Sequence, residues 1–484
     1  MMTFNDIPEN LRIPGYFIEF DPSRANTGTY QHKLLVIGQR LATGTVAEAT
    51  PTLTSNAAQG ENYFGRGAQL SHMLNYIFKV RPSMPVWAIG LDDLVAGVAA
   101  SGSITFTGAA STAGTLNVIV GGEKVQVGVA AADAQDVIAA AVVAGITAKT
   151  DCPVTAAVDG GNSNQVNLTH RHKGELGNDL TVDVLFDSAS QPTAPAIAIT
   201  AMAGGTGNPD INTAIAAMGD EWYNWIIMPW TDSTNMTALE TELVDRFSPL
   251  RQIGCRAFAP VSGTYGSAQA YGDSRNSPHV TCMGSGLAPQ PAYIWAAVNA
   301  VVAANSLAND PSRQLRGLSL PYLIPPAAED RFTNTERNNL LYDGISTYTV
   351  DAGGVVRIEA QITMYQENAS GLPDDSMLYL NVPEVFERYR HEVRVMFSAY
   401  NRDKLADDGN KVPLGQPIMT PKKARGLMIN LYRRMVEELA WCENLDNYKD
   451  TLLVEKTGNR LRIVDQPNFI DNFRQLFMRS ELVN

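Results

Sequence analysis

The sequence predicts a multidomain α/β and α+β protein: a discontinuous α/β body, a mainly β domain inserted into it, and a C-terminal α+β domain. Three observations predict this. Short apolar runs alternate with helical repeats on both sides of a low-complexity stretch. Within that stretch, residues 99–206, Ala, Gly, Ser, Thr and Val dominate, and only 13 of 108 residues are charged, which sets it apart from its flanks. Beyond Thr333, capping signals and long amphipathic patterns mark a hairpin and two long helices.

The elements follow in order. Residues 13–20 read as a strand with Tyr16, Ile18 and Phe20 on one face and Phe17 on the other, isolated by Pro14-Gly15 and Asp21-Pro22. Residues 33–38 form a continuous apolar run, the pattern of a buried strand. Ala68, Leu70, Met73, Leu74, Ile77 and Phe78 recur at helical spacing, and residues 85–90 are the next buried strand. In the low-complexity stretch, residues 115–129 read as a hairpin about Gly121-Gly122, 133–149 as a helix, and 154–158, 165–169 and 180–185 as strands. The body then resumes. Asn208-Pro209 reads as a helix start, 223–228 and 254–260 as strands, 234–247 and 291–307 as helices.

Thr333-Asn334-Thr335-Glu336 matches a capping box. A hairpin of 345–350 and 355–365 follows, and then helices over 383–404 and from Pro421, with Thr420 as cap. The chain closes with a hairpin of 452–454 and 461–464 about Thr457-Gly458-Asn459. Residues 469–483 alternate poorly and read as helix or strand.

Composition excludes several functions. The chain has 484 residues, enough for about two to four domains. A net charge of −13 argues against gripping nucleic acid through its phosphates. The charge is uneven: residues 1–382 carry 20 basic and 35 acidic side chains (−15), and residues 383–484 carry 17 and 15 (+2). The C-terminal fifth could therefore face an acidic partner. Cys152, Cys255, Cys282 and Cys442 lie too far apart for a CxxC pair, as expected for a reducing cytoplasm. No basic segment followed by an apolar one opens the chain, and no apolar stretch is long enough to cross a bilayer.

Catalytic motifs are missing. There is no GxxxxGK[ST], and Gly284-Ser285-Gly286 lacks nucleophile-elbow spacing. His170 and His172 would share one side of a strand, and read as two surface histidines rather than a metal site. Asp374-Asp375 and Asp407-Asp408 read as solvated turns, and Trp222, Trp225 and Trp230 as core or interface. No enzyme activity, cofactor or metal is expected. Strand-like segments at both ends, without evident partners, suggest exchange between subunits by β-augmentation.

Several runs resemble those of the Mu-like family of contractile tail sheath proteins of tailed bacteriophages. They are Pro14-Gly15-Tyr16-Phe17-Ile18-Glu19, Phe64-Gly65-Arg66-Gly67-Ala68, the run from Lys173 to Asp179, and Ala203-Gly204-Gly205 through Asn208-Pro209-Asp210. Asp330-Arg331-Phe332-Thr333 with Glu336-Arg337-Asn338 and Gly344-Ile345, and then Tyr400 to Leu405, complete a set in the family's order.

The resemblance implies a structural polymer: hexameric rings stacked as a helix around a tail tube, contracting to drive the tube through a host envelope. Implied partners are further copies of the chain, the tube protein, and baseplate and tail terminator proteins, with no direct nucleic acid and no membrane insertion. The implied location is the virion, after synthesis in the host cytoplasm. The implied division is an N-terminal arm (1–25), a body (26–98 and 207–330), an outer insertion (99–206), a tube-facing inner domain (331–468) and a C-terminal arm (469–484).

On this mapping Tyr16, Phe17, Ile18 and Phe20 form the N-terminal arm strand. Leu452, Val454, Leu461 and Ile463 form the acceptor hairpin, and Leu476, Met478 and Leu482 the C-terminal arm. Lys422, Lys423, Arg425, Arg460, Arg462, Arg474 and Arg479 are the candidates for contact with an acidic tube. The competing readings are a surface lattice or adhesin-type protein, which would need an export signal, and an α/β enzyme with a β lid, which would need a convergent polar site.

Overall fold

The computed structural model describes residues 32–82, 85–187, 196–410 and 416–482. Strand β1 (Leu34–Gln39) is buried along its whole length. Leu34 and Val36 enter one core while Leu35 and Ile37 enter another, so the sheet is covered on both faces. β2 (Thr52–Thr54), α1 (Ala57–Phe64), α2 (Gln69–Val80) and β3 (Val86–Leu91) follow, with β3 parallel to β1.

The chain then leaves for the insertion. β4 (Ala99–Thr107), β5 (Gly114–Val120), β6 (Glu123–Val129), helix α3 (Gln135–Ala148), β7 (Val154–Val158), β8 (Gln165–Lys173), β9 (Val182–Asp187) and β10 (Ala196–Ala203) make two antiparallel sheets. Their orders are β10-β4-β8-β7 and β6-β5-β9. They enclose their own core of Ile104, Phe106, Val118, Val142 and Leu168 among others. At the neck Val98 bridges Thr206. Gly205 is obligatory there, because a Cβ would stand 2.3 Å from the Gly174 carbonyl oxygen.

The body resumes with α4 (Ile211–Met218), β11 (Trp225–Ile227), α5 (Ser233–Phe247), β12 (Arg256–Ser262), α6 (Tyr265–Asp273), β13 (Val280–Gly286), α7 (Ala292–Asn309), α8 (Asn334–Tyr342), β14 (Ile345–Val350) and β15 (Val356–Ala360). The expected start of α4 at Asn208-Pro209 is corrected: Asp210 is the cap, accepting from the Asn212 amide. The sheet runs β15-β14-β13-β12-β11-β1-β3-β2, parallel except at its two edges. Helix α7 is buried on nearly every side, which its Ala and Val content allows. The α8 capping box forms as read from the sequence. Because β14 pairs parallel with β13 through Cys282 and Ile345, a domain boundary at residue 331 falls inside this sheet.

The C-terminal unit comprises α9 (Asn381–Ser398), β16 (Lys404–Leu405), β17 (Ile418–Met419), α10 (Pro421–Glu437), α11 (Leu445–Thr451), β18 (Leu453–Thr457) and β19 (Arg460–Val464). Thr420 caps α10 and Pro421 takes its first turn. Helix α9 stops at Ser398, short of the expected Lys404, because the chain turns there and Lys404 pairs with Ile418.

The histidine pair needs correction. His170 and His172 do share one side of β8, but both are buried, not on the surface. His172 Nε2 accepts the Gln69 amide at 3.1 Å, so Nδ1 carries the proton and donates to Asp93 at 2.9 Å. Asp93 also accepts from Gln39 and the Lys173 amide. Burial would raise the Asp93 pKa, but these bonds, led by His172, hold it below the usual range. Burial lowers His170 to about 4. Together with the Arg66–Asp151 pair at 2.7 Å, this network ties the insertion to the body. Replacing His172 with Ala strands a buried Gln69 N–H and removes one of the three donors to the Asp93 carboxylate. We expect a loss of about 1–3 kcal/mol in thermal unfolding of the purified subunit, with faster exchange of the Gln69 amide.

Candidate functional site

The candidate site is the C-terminal hairpin with the tail that follows it. Its foundation is a core of Val385, Tyr389, Met428, Leu431, Tyr432, Met435, Trp441, Cys442, Tyr448 and Leu452. The Tyr432 and Tyr448 rings stack at 3.7 Å, within 4° of parallel. Tyr432 Oη donates to the Glu443 carbonyl at 2.6 Å and accepts the Asn468 amide at 3.0 Å. Tyr389 Oη donates to the Asp465 carboxylate, and the Tyr448 hydroxyl lies 3.1 Å from that of Tyr389. Burial first, and then these neighbours, raise the Tyr389 pKa. Both ends of the segment 465–468, just after β19, are thereby pinned.

β18 and β19 form a sheet of two strands, and neither has a second strand partner among the described residues. Val454 and Ile463 are cross-strand neighbours that pack toward the helices. On the opposite face Leu453 and Val464 form a cross-strand pair, 65% and 60% exposed. A cleft of about 510 Å³ runs beside β19, lined by Phe386, Val393, Phe397, Met428 and Ile463 among others. A two-stranded ribbon with open edges next to an apolar cleft can accept further strands.

The expected site residues fall as follows. Tyr16, Phe17, Ile18 and Phe20 lie outside the described residues. Leu452 is buried just before β18, while Val454, Leu461 and Ile463 are half-buried on the strands. Leu476, Met478 and Leu482 are 72%, 79% and 92% exposed, beside equally exposed Phe473 and Phe477. The tail is neither helix nor strand from Phe469 to Leu482, apart from a single bridge between Phe469 and Cys442.

Among the basic residues, Lys423 pairs with Asp403 at 2.9 Å and Arg425 donates to the Lys449 carbonyl. Lys422 is exposed at the start of α10. Arg460 and Arg462 stand on the exposed side of the hairpin, with Arg462 3.6 Å from Glu455. Arg479 pairs with Glu481 at 2.7 Å. Arg474 lies over the Tyr379 ring.

Sequence reasoning missed the joint between α9 and the body. Arg256 and Arg390 flank the Phe247 ring at 5.4 and 4.7 Å, and Arg394 covers Trp222 at 5.3 Å. Arg390 donates to the Phe247 carbonyl and Arg256 to that of Pro383, each at 2.7 Å. Glu384 faces Arg256 at 3.8 Å, and Glu387 pairs with Arg390. Glu384 and Glu387 look like part of a solvated helical face in sequence, so no local signal marks them as buried. Among the described residues there is no group of three His, Cys, Asp or Glu able to hold a metal, and no helix is long and apolar enough to cross a membrane.

Comparison with known proteins agrees with this architecture. The profile of the phage tail sheath protein central domain matches residues 204–364. The chain belongs to the phage tail sheath protein family. Within it, the chain is 37% identical over 480 residues to the Mu-like prophage FluMu tail sheath protein of Haemophilus influenzae, covering 98% of each. Two solved structures share the fold. The sheath tail protein of Listeria innocua is 14% identical, with 92% of this chain and 93% of that one covered at a TM-score of 0.50. A chain of the anti-feeding prophage baseplate is 11% identical, with 98% and 99% covered at a TM-score of 0.50.

Burial raises the Glu384 pKa to about 7, with Arg256 opposing. The native state therefore holds a proton that the unfolded chain has released above its ordinary value near 4.5. Stability from this group is complete at low pH and declines as pH rises from about 4.5 to about 7. In Glu384→Gln that decline disappears, a relative gain of about 3 kcal/mol by pH 8, read from chemical denaturation across the pH range.

Proposed function

We propose that this chain is the repeating subunit of a contractile tail sheath: six copies form each ring, rings stack helically around a tail tube, and contraction drives the tube through a host cell envelope. The observation that carries the reading is the open β18–β19 ribbon next to an exposed apolar tail in one chain. A ribbon that lacks outer strands and a tail that lacks a surface to cover it are complementary between copies. Family membership supports the same reading.

In this account the N-terminal strand around Tyr16–Phe20 and the tail around Leu476, Met478 and Leu482 add to the hairpins of neighbouring copies. Each backbone hydrogen bond contributes only about 0.5–1.5 kcal/mol net, but a lattice multiplies them. The links persist while the bodies rotate, because they run through the chain ends rather than the packed sheets. The drive is conformational. Roughly 300 Å² of additional apolar burial per subunit gives about 7.5 kcal/mol at ~25 cal/mol per Å², summed over every ring.

The unit from α9 to β19 faces the tube, and the insertion faces outward. Arg460 and Arg462, exposed on the hairpin, are the best placed of the basic candidates for an acidic tube surface. The protein's work is structural, with no chemical step. Baseplate and terminator proteins bound the polymer at its ends, and assembly takes place in the host cytoplasm before the sheath becomes part of the virion.

Two experiments test this. A chain truncated after Arg474 should remain folded but form no sheath in negative-stain microscopy, and normal polymers from it would remove the donor role of the tail. Reversing Arg460 and Arg462 to Glu should weaken tube-templated assembly at least tenfold, recovered in part by raising salt, since the repulsion between the new carboxylates and an acidic tube is screened. Assembly at the parental level would remove the tube contact.

A further inference from the structure

The tail is held to its own subunit in two places of different character. The first is its root. The Glu443 amide donates to the Asn468 carbonyl at 2.9 Å, and the Ile470 amide to the Trp441 carbonyl at 3.0 Å. With the Tyr432 hydroxyl, these bonds tie residues 468–470 by their backbone to the packed tyrosine core.

The second lies four residues on. Arg316 Nη1 donates to the Arg474 carbonyl at 2.7 Å, and the Arg474 guanidinium lies over the Tyr379 ring. The groups that make this seat are themselves fixed. Tyr379 bridges Ile362, and the Gly317 amide next to Arg316 donates to the Ile358 carbonyl at 2.8 Å. The contact to the tail is made by one exposed arginine side chain, Arg316, and by Tyr379, against which Arg474 is half-buried. Beyond Arg474, the described tail shows a single ion pair, Arg479 to Glu481, internal to it, and its large apolar residues are exposed.

We propose that Arg316 and Tyr379 form a releasable stop on the C-terminal arm, which sets how far the arm reaches toward a second copy of this chain in each state of the sheath. The inference rests on reading residues 475–482 as the donor segment. With Arg474 seated, eight described residues are free and span at most about 26 Å at ~3.3 Å per residue. With Arg474 released, the free segment runs from Asp471 to Leu482, twelve residues and about 40 Å. The root at 468–470 holds, because its backbone is bonded at three points to the packed tyrosine core and the chain beside it. The arm can thus lengthen by about 13 Å without unpairing from its acceptor, four residues' worth of extended chain. A sheath whose subunits rotate past one another needs such slack. Arg316 and Tyr379 are positioning residues and make no contact with the acceptor strand itself.

The test uses tails assembled with the full-length chain. The double variant Tyr379→Cys with Arg474→Cys places two accessible thiols in the seat, and the four native cysteines are buried. In extended tails, oxidation should join the pair, and contraction triggered by heating should then be blocked or slowed at least tenfold, with full recovery on reduction. Arg316→Ala combined with Arg474→Ala, which removes both contacts of the seat and leaves the packed core untouched, should do the opposite. Contraction should begin at a lower temperature, and cleavage between residues 470 and 475 by added protease should rise about tenfold, the factor expected from losing a weak seat. Three results would overturn the stop: cross-linked tails that contract at the parental rate, extended tails in which the pair cannot be oxidised, or Arg316→Ala/Arg474→Ala tails with unchanged onset. Loss of the donor reading is separable, since it requires the chain truncated after Arg474 to build normal sheath.

Discussion

The stacked rings of Tyr432 and Tyr448 are the contact on which the C-terminal architecture rests. One hydroxyl fixes the chain after α10 and the start of the tail together, by giving its proton to Glu443 and accepting the amide of Asn468. The other hydroxyl, with that of Tyr389, fixes Asp465 at the end of β19. A two-stranded ribbon has little stability of its own in water. Here it holds its shape because both of its ends are tied to a buried aromatic core, so its outer edges can stay open without the ribbon fraying.

The ribbon is in turn connected to the large sheet through α9. Alternating arginine and aromatic groups, Arg256, Phe247 and Arg390, with Arg394 on Trp222, close that joint over desolvated charge. Removing one partner from such a set leaves the other charge buried and costs several kcal/mol, so the joint resists bending. His279, beside Phe247 in the same joint, has its pKa lowered to about 2 by burial and by the two arginines, so it stays neutral and adds no competing charge.

Much of this was legible in the sequence. The buried runs of β1 and β3, the Gly121-Gly122 hairpin, the α8 capping box, the Thr420-Pro421 start of α10 and the closing hairpin all declare themselves locally, through period, caps and turn residues. What escaped was set by tertiary contact. β4 and β10 are rich in small residues and lack a clear period, so nothing in them announced a pair of central and edge strands. β13, with its Gly284-Ser285-Gly286 end, was hidden for the same reason. The β14–β15 hairpin looked independent because its second strand alternates, yet β14 completes the parallel sheet. His170 and His172 looked superficial because polar residues surround them, and only the fold brings Asp93 and Gln69 to His172, while His170 donates to the His172 carbonyl. Of the candidate site, the hairpin was visible as a turn between strands. The seating of Arg474 on Tyr379 joins residues almost a hundred positions apart, and no local pattern encodes it.

The neck of the insertion has a further consequence. Val98 and Thr206 sit opposite one another in an antiparallel bridge, so the chain leaves and rejoins the body within about 5 Å. Any foreign module whose own termini lie equally close could be grafted in place of residues 99–205 without stretching the frame. A long array of copies would then display it at regular intervals, turning the particle into a scaffold for cargo of the experimenter's choosing.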